Sequence, residues 1–120
     1  MLSKEEGEHP IPEEWRPKFR AIANAFADDD YRLARHNIQG VRPIDEETAS
    51  YFEDNVDAYG DELAPLDDAT WERSISVWMN GYWDVLVDLT TSNEPVSDLT
   101  LHARIYECDG SIEIWSVHVP

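Results

Sequence analysis

After Trp71 the chain changes period. Ile75, Val77 and Met79 alternate with Ser74, Ser76 and Trp78, and Asn80-Gly81 follows. A repeat of two places successive side chains on opposite faces of a strand, and Asn-Gly readily supplies the two positive φ angles of a type I′ hairpin. Beyond that turn Trp83, Val85, Val87 and Leu89 alternate with Tyr82, Asp84, Leu86, Asp88 and Thr90. A polar loop over 91–97 leads to a third strand, with Leu99, Leu101, Ala103 and Ile105 set against Asp98, Thr100, His102, Arg104 and Tyr106. Asp109-Gly110 marks a second hairpin turn before a last strand over 111–119. There Ile112 and Ile114 keep one phase and Trp115, Val117 and Val119 the other, which predicts a bulge near Ile114. Consecutive strands joined by tight turns form an antiparallel meander, here of four strands.

Before Trp71 the period is helical. Trp15, Phe19, Ile22, Ala23 and Phe26 share one face. Pro17 is tolerated only in a first turn, so the helix begins near Arg16. Asp28, Asp29 and Asp30 end it, and Asp30 is read as the cap of a short second helix through Tyr31, Leu33 and Ala34. Residues 36–43 form a loop. Asp45 is the N-cap of a third helix that Gly60 stops, with Thr48, Tyr51, Phe52, Val56 and Tyr59 on its apolar side. Residues 61–70 read as an acidic loop around Pro65. The expectation is a flexible leader over 1–10, then one α+β domain over 11–120 with helices packed on the meander. Apolar residues make up 42% of the chain and include five Trp, which argues against a disordered acidic tail.

The formal net charge is −17. Between Ile44 and Ala69 stand Asp45, Glu46, Glu47, Glu53, Asp54, Asp57, Asp61, Glu62, Asp67 and Asp68, with no Lys or Arg among them. Such a surface attracts a basic protein and repels nucleic acid and anionic membranes. The lone cysteine, Cys108, excludes a disulfide within the chain and a thiolate metal cluster, and it reads as a quiet structural thiol. No secretory signal and no run of apolar residues long enough to span a bilayer is visible, so the expected location is the cytoplasm.

The segments Trp83 to Thr91 (WDVLVDLTT), Ser97 to Leu101 (SDLTL) and Ser116 to Val119 (SVHV) resemble the strand pattern of small bacterial domains of uncharacterised function. Phe19 to Tyr31 is similar to the opening helix of those domains and to helices of the cystatin-like, NTF2-like α+β superfamily. Such domains often lie beside bacterial toxin genes as candidate immunity proteins. The resemblance implies a cystatin-like or NTF2-like fold and supplies no catalytic residue and no cofactor.

Three groups are candidate sites. The acidic residues 45–68 form a docking face for a basic partner such as a toxin domain, or else a solvated helix face suited to a salty habitat. Trp78 and Tyr82 are read as falling on the same side of the first hairpin, as apolar anchors for that partner or for a homodimer, or as packing beneath the helices. Asp84, Asp88, His102 and Arg104, with Tyr106 and His118 nearby, are the polar groups of an alternative ligand pocket or acid–base site, against ordinary cross-strand ion pairing. A metal held by His102, His118 and Asp88 is the weakest of these readings, and the leading one is a non-enzymatic interaction protein without a cofactor.

Overall fold

The computed structural model describes residues 4–120. Its elements run β1 (Glu8–Pro10), α1 (Arg16–Ala27), α2 (Glu46–Tyr59), β2 (Leu63–Ala64), a 3₁₀ turn (Asp68–Glu72), β3 (Ile75–Trp78), β4 (Tyr82–Asp88), β5 (Thr90–Thr91), β6 (Thr100–Tyr106) and β7 (Ile112–His118). The main sheet has five antiparallel strands in the order β1-β3-β4-β6-β7, and β2 and β5 pair separately. The α+β class therefore holds, with five strands where four were expected. The added strand comes from the segment read as leader: Glu8, His9 and Pro10 sit opposite Val77, Ser76 and Ile75. A three-residue strand containing proline suits a sheet edge, because proline has no N–H to give to a further neighbour. Residues 1–3 of that leader lie outside the described residues.

α1 buries the residues that its period singled out: Phe19, Ile22, Ala23 and Phe26, with Trp15 just before them. α2 starts where Asp45 accepts a hydrogen bond from the Thr48 N–H at 2.7 Å and stops at Gly60, whose φ of 85° is the left-handed cap. Its core face is Ala49, Phe52 and Val56. Tyr51, expected on that face, is 59% exposed. At about 100° per residue it points about 130° away from the mean direction of Ala49, Phe52 and Val56.

The short helix expected after Asp30 is a folded turn instead. The buried Asp30 carboxylate, only 5% exposed, accepts the backbone N–H groups of Ala34, Arg35 and His36. Leu33 has a φ of 58°, which breaks any helix there. The His36 ring closes the turn, with Nδ1 2.8 Å from Asp30 and Nε2 3.1 Å from Asp28. Burial pushes the Asp30 carboxyl up, but hydrogen bonds from the His36 ring and from the backbone N–H groups of His36, Arg35 and Ala34 outweigh it and hold the group far below the usual carboxylate range. The hydrogen bond to Asp30 in turn raises the His36 pKa above its ordinary value. A raised histidine pKa stabilises the fold fully below about pH 6.5 and is lost as pH climbs through the raised value. The wild type should therefore lose stability between pH 6 and pH 9, and His36→Gln should flatten that loss. Urea midpoints at the two pH values test it.

The first hairpin has the expected two-residue turn, with φ of 58° at Asn80 and 118° at Gly81. A two-residue turn sets Trp78 opposite Trp83, Val77 opposite Asp84 and Ser76 opposite Val85. Ser76 and Trp78 consequently face the helices while Ile75 and Val77 face outward, and Trp78 and Tyr82 lie on opposite faces of the sheet. The second hairpin is longer than Asp109-Gly110 alone: residues 107–110 form the connection, with Tyr106 N–H bonded to Ser111 O and Gly110 at φ 71°. The bulge falls at Trp115. Ile114 pairs with Ala103 and Ser116 with His102, so Trp115 is the extra residue and is 47% exposed.

The core is one cluster beneath the two helices, filled from the sheet by Trp83, Val85, Val87, Leu101, Ile105 and Val117 among others. The β7 edge is closed in two places. Ile112 exchanges backbone hydrogen bonds with Gly40 and Arg42, and Asn55 on α2 donates to Val117 O at 2.8 Å. That last bond fixes α2 against β7.

Candidate functional site

The ten carboxylates of residues 45–68 divide into two kinds. Four hold local structure. Asp45 caps α2, and Asp67 caps the 3₁₀ turn by accepting from Ala69 N–H at 2.9 Å. Asp68 pairs with Arg20 on α1. Asp61 accepts from Ser92 Oγ at 2.8 Å and from Asn93 Nδ2 at 3.0 Å, tying the segment after α2 to the loop after β5. Hydrogen bonds from the side chains of Thr91 and Ser92 hold its carboxyl down at about 2. Glu46, Glu47, Glu53, Asp54, Asp57 and Glu62 are exposed and take part in no ion pair among the described residues. All but Glu62 lie on α2.

Three of these free acids, Glu46, Glu47 and Asp54, line an open cleft of about 870 Å³ between α2 and β7. Tyr51 and Trp115 share its lining. Each aromatic is exposed for a local reason: Tyr51 sits on the solvent side of the helix, and the bulge turns Trp115 out of the core phase. Arg104 stacks over Trp115, with Cζ 3.9 Å from the ring centroid, and also lies 4.5 Å from the Tyr82 ring. Trp115 is thus braced from the sheet side. An aromatic pair ringed by carboxylates, with no base among the cleft's lining residues, suits a cationic ligand surface: the rings offer apolar area and π faces and the acids offer charge.

The anchors expected from the sequence lie elsewhere. Trp78 packs inward against Trp83, with centroids 4.7 Å apart, under the Lys4 ammonium. Tyr82 faces the open side of the sheet beside Tyr106, with centroids 5.9 Å apart. Tyr51 and Trp115 were visible in the sequence only through the helical phase of Phe52 and the phase slip in the last strand.

The outer-face polar set lies on one face, but its members are engaged with one another or with neighbouring side chains. His102 Nε2 lies 3.0 Å from Asp84 Oδ1. Arg104 Nε lies 3.4 Å from the same oxygen, an ion pair without hydrogen-bond alignment. Asp88 pairs with Arg73 at 3.5 Å and accepts from Thr100 Oγ1 at 3.3 Å. Tyr106 donates to Glu113 at 2.7 Å, and His118 bonds Ser116 at 2.8 Å. His102, His118 and Asp88 do not converge, and among the described residues no group of three His, Cys, Asp or Glu side chains is placed to hold a metal ion. Cys108 is exposed in the turn between β6 and β7 and does not join the core. No helix among the described residues is long and apolar enough to cross a membrane.

A family described as a domain of unknown function (DUF7668) matches residues 23–120. The chain belongs to this family. The match takes in α2, the cleft, and every strand except β1. It agrees with the resemblance to small domains of uncharacterised function and carries no activity with it. No curated protein and no solved structure matches the chain.

Proposed function

We propose that this DUF7668 protein is a non-enzymatic interaction protein that docks a basic partner in the cleft between α2 and β7. Its most concrete form is a cytoplasmic bacterial immunity protein that occludes a basic toxin domain. The observation behind the reading is the exposure of Tyr51 and Trp115 in one cleft with the unpaired Glu46, Glu47 and Asp54. The acids would speed encounter and reject anionic competitors, and the two rings would supply the desolvated anchors. The alternative is a ligand-binding or enzymatic domain of the cystatin-like or NTF2-like kind using Asp84, Asp88, His102 and Arg104. It has less support, because Asp84 is taken up by His102 and Arg104, and Asp88 by Arg73 and Thr100, on a sheet face.

The test is protection. The product of the neighbouring gene is expressed in a sensitive host with and without this chain, and the pair is then co-purified at low and high salt. Tyr51→Ala and Trp115→Ala should each weaken the complex by roughly 10- to 100-fold, as anchors worth about 1.4–3 kcal/mol do. The double reversal Glu47→Lys with Asp54→Lys should mainly slow association and reduce its salt dependence. Circular dichroism should report an unchanged fold in all three. Protection that survives every one of these changes would discard the cleft as the docking site.

A further inference from the structure

We infer that the open face of the five-stranded sheet is where two copies of this chain meet. α1 and α2 both lie on one side of the sheet. The other side carries Ile75, Val77, Tyr82, Leu86 and Tyr106, each only partly buried, with no helix among the described residues over them. Register aligns them in rows across the strands: Ile75, Leu86 and His102 in one, Val77, Asp84, Arg104 and Glu113 in the next, Tyr82 and Tyr106 in a third. Tyr and Arg are among the residue types that dominate interface energetics, and the Tyr82–Arg104 stack presents one of each.

Charge selects the occupant. The carboxylates in this face are Glu8, Asp84, Asp88 and Glu113. The last three each have their own arginine: Arg104 at 3.4 Å, Arg73 at 3.5 Å and Arg42 at 3.5 Å. Glu8, at the β1 edge, is in no ion pair among the described residues, so the face carries one uncompensated carboxylate on a molecule of net charge −17. A strongly basic partner gains little here and is drawn to α2 instead. A second copy is repelled from the α2 side and meets this face with the least repulsion. In a two-fold interface residue i of one copy meets residue j of the other and j meets i, so the arginines of this face can lie against the carboxylates of the second copy. At about 3.4 Å per residue and 4.8 Å between strands the sheet face covers roughly 400 Å² in projection. Each partner in a standard interface contributes about 800 Å², so the association should be weak and concentration-dependent.

Sedimentation equilibrium of the full chain from about 1 µM to about 1 mM tests this without reference to the cleft. The expected result is a mass that rises from monomer to dimer, and rises sooner at high salt, where the overall repulsion is screened. Leu86→Glu, in the central strand, should weaken the dimer at least tenfold, and Val77→Glu, in the adjacent strand, should do the same if the first variant folds poorly. Glu53→Gln, on α2, should leave the dimer intact. A monomer throughout the range overturns the inference. So does a dimer that both face variants leave unchanged. A monomeric wild type whose face variants lose protection also overturns it, and gives the face to the partner.

Discussion

An Asp30→Ala variant is expected to lose about 2–4 kcal/mol of unfolding free energy, read as a lower urea midpoint at an unchanged slope. The carboxylate is the hub of the turn after α1. It takes three backbone N–H groups and the His36 ring, and alanine replaces none of them. Part of the loss is recoverable by water, because Ala34 and Arg35 are exposed, which keeps the figure below the sum of the separate bonds. Asp30→Asn retains an acceptor oxygen and gives up the charge, so it should fall between wild type and alanine. If Asp30→Ala melts like the wild type, the turn is held by the packing of Tyr31 and Leu33 and not by its carboxylate.

Phe52→Ala is expected to cost about 3–5 kcal/mol, whereas Tyr51→Ala one residue earlier should cost less than about 0.5 kcal/mol. Phe52 is fully buried and meets Phe26 of α1 with ring centroids 6.3 Å apart, so truncation opens a cavity between the two helices. Tyr51 loses only surface contacts. The contrast separates two jobs on one helix: Phe52 holds α2 in place, and Tyr51 is free to meet a partner. Thermal melts of the two variants decide it, and a large loss at Tyr51 would return that side chain to the core and remove it from the cleft.

The helices were legible because their signals are local. The Trp15 to Phe26 spacing, Asp45 and Gly60 each act within a few residues of themselves. The strand phases in β4 and β6 were legible for the same reason. β1 was not, because nothing in Glu8-His9-Pro10 marks a strand, and its partner lies some 66 residues away. The inversion of β3 was available in principle: a two-residue turn at Asn80-Gly81 pairs Trp78 with Trp83, so a tryptophan had to join the core and Val77 had to leave it. The hydrophobic ranking of Ile75, Val77 and Met79 pointed the other way, and register overruled it. The outer-face cluster could be named from the sequence, but the pairing of its carboxylates with arginines could not. That depends on Arg73 and Arg42 reaching in from a loop and from the residues beside β7. The cleft escaped for a similar reason, since it exists only where α2 docks beside the bulge.

The tryptophans beneath α1 have an optical consequence. Trp15, just ahead of α1, meets Trp83 edge-on with centroids 5.4 Å apart, and Trp83 meets Trp78 at 4.7 Å. Indole transition dipoles this close and this inclined mix their excited states, so the folded protein should show an exciton couplet in its circular dichroism on top of the backbone bands. The couplet comes from the first hairpin itself, through Trp78 and Trp83, and from its contact with the start of α1, through Trp15 and Trp83. It gives a native spectroscopic reporter of whether that corner is assembled, separate from helix content.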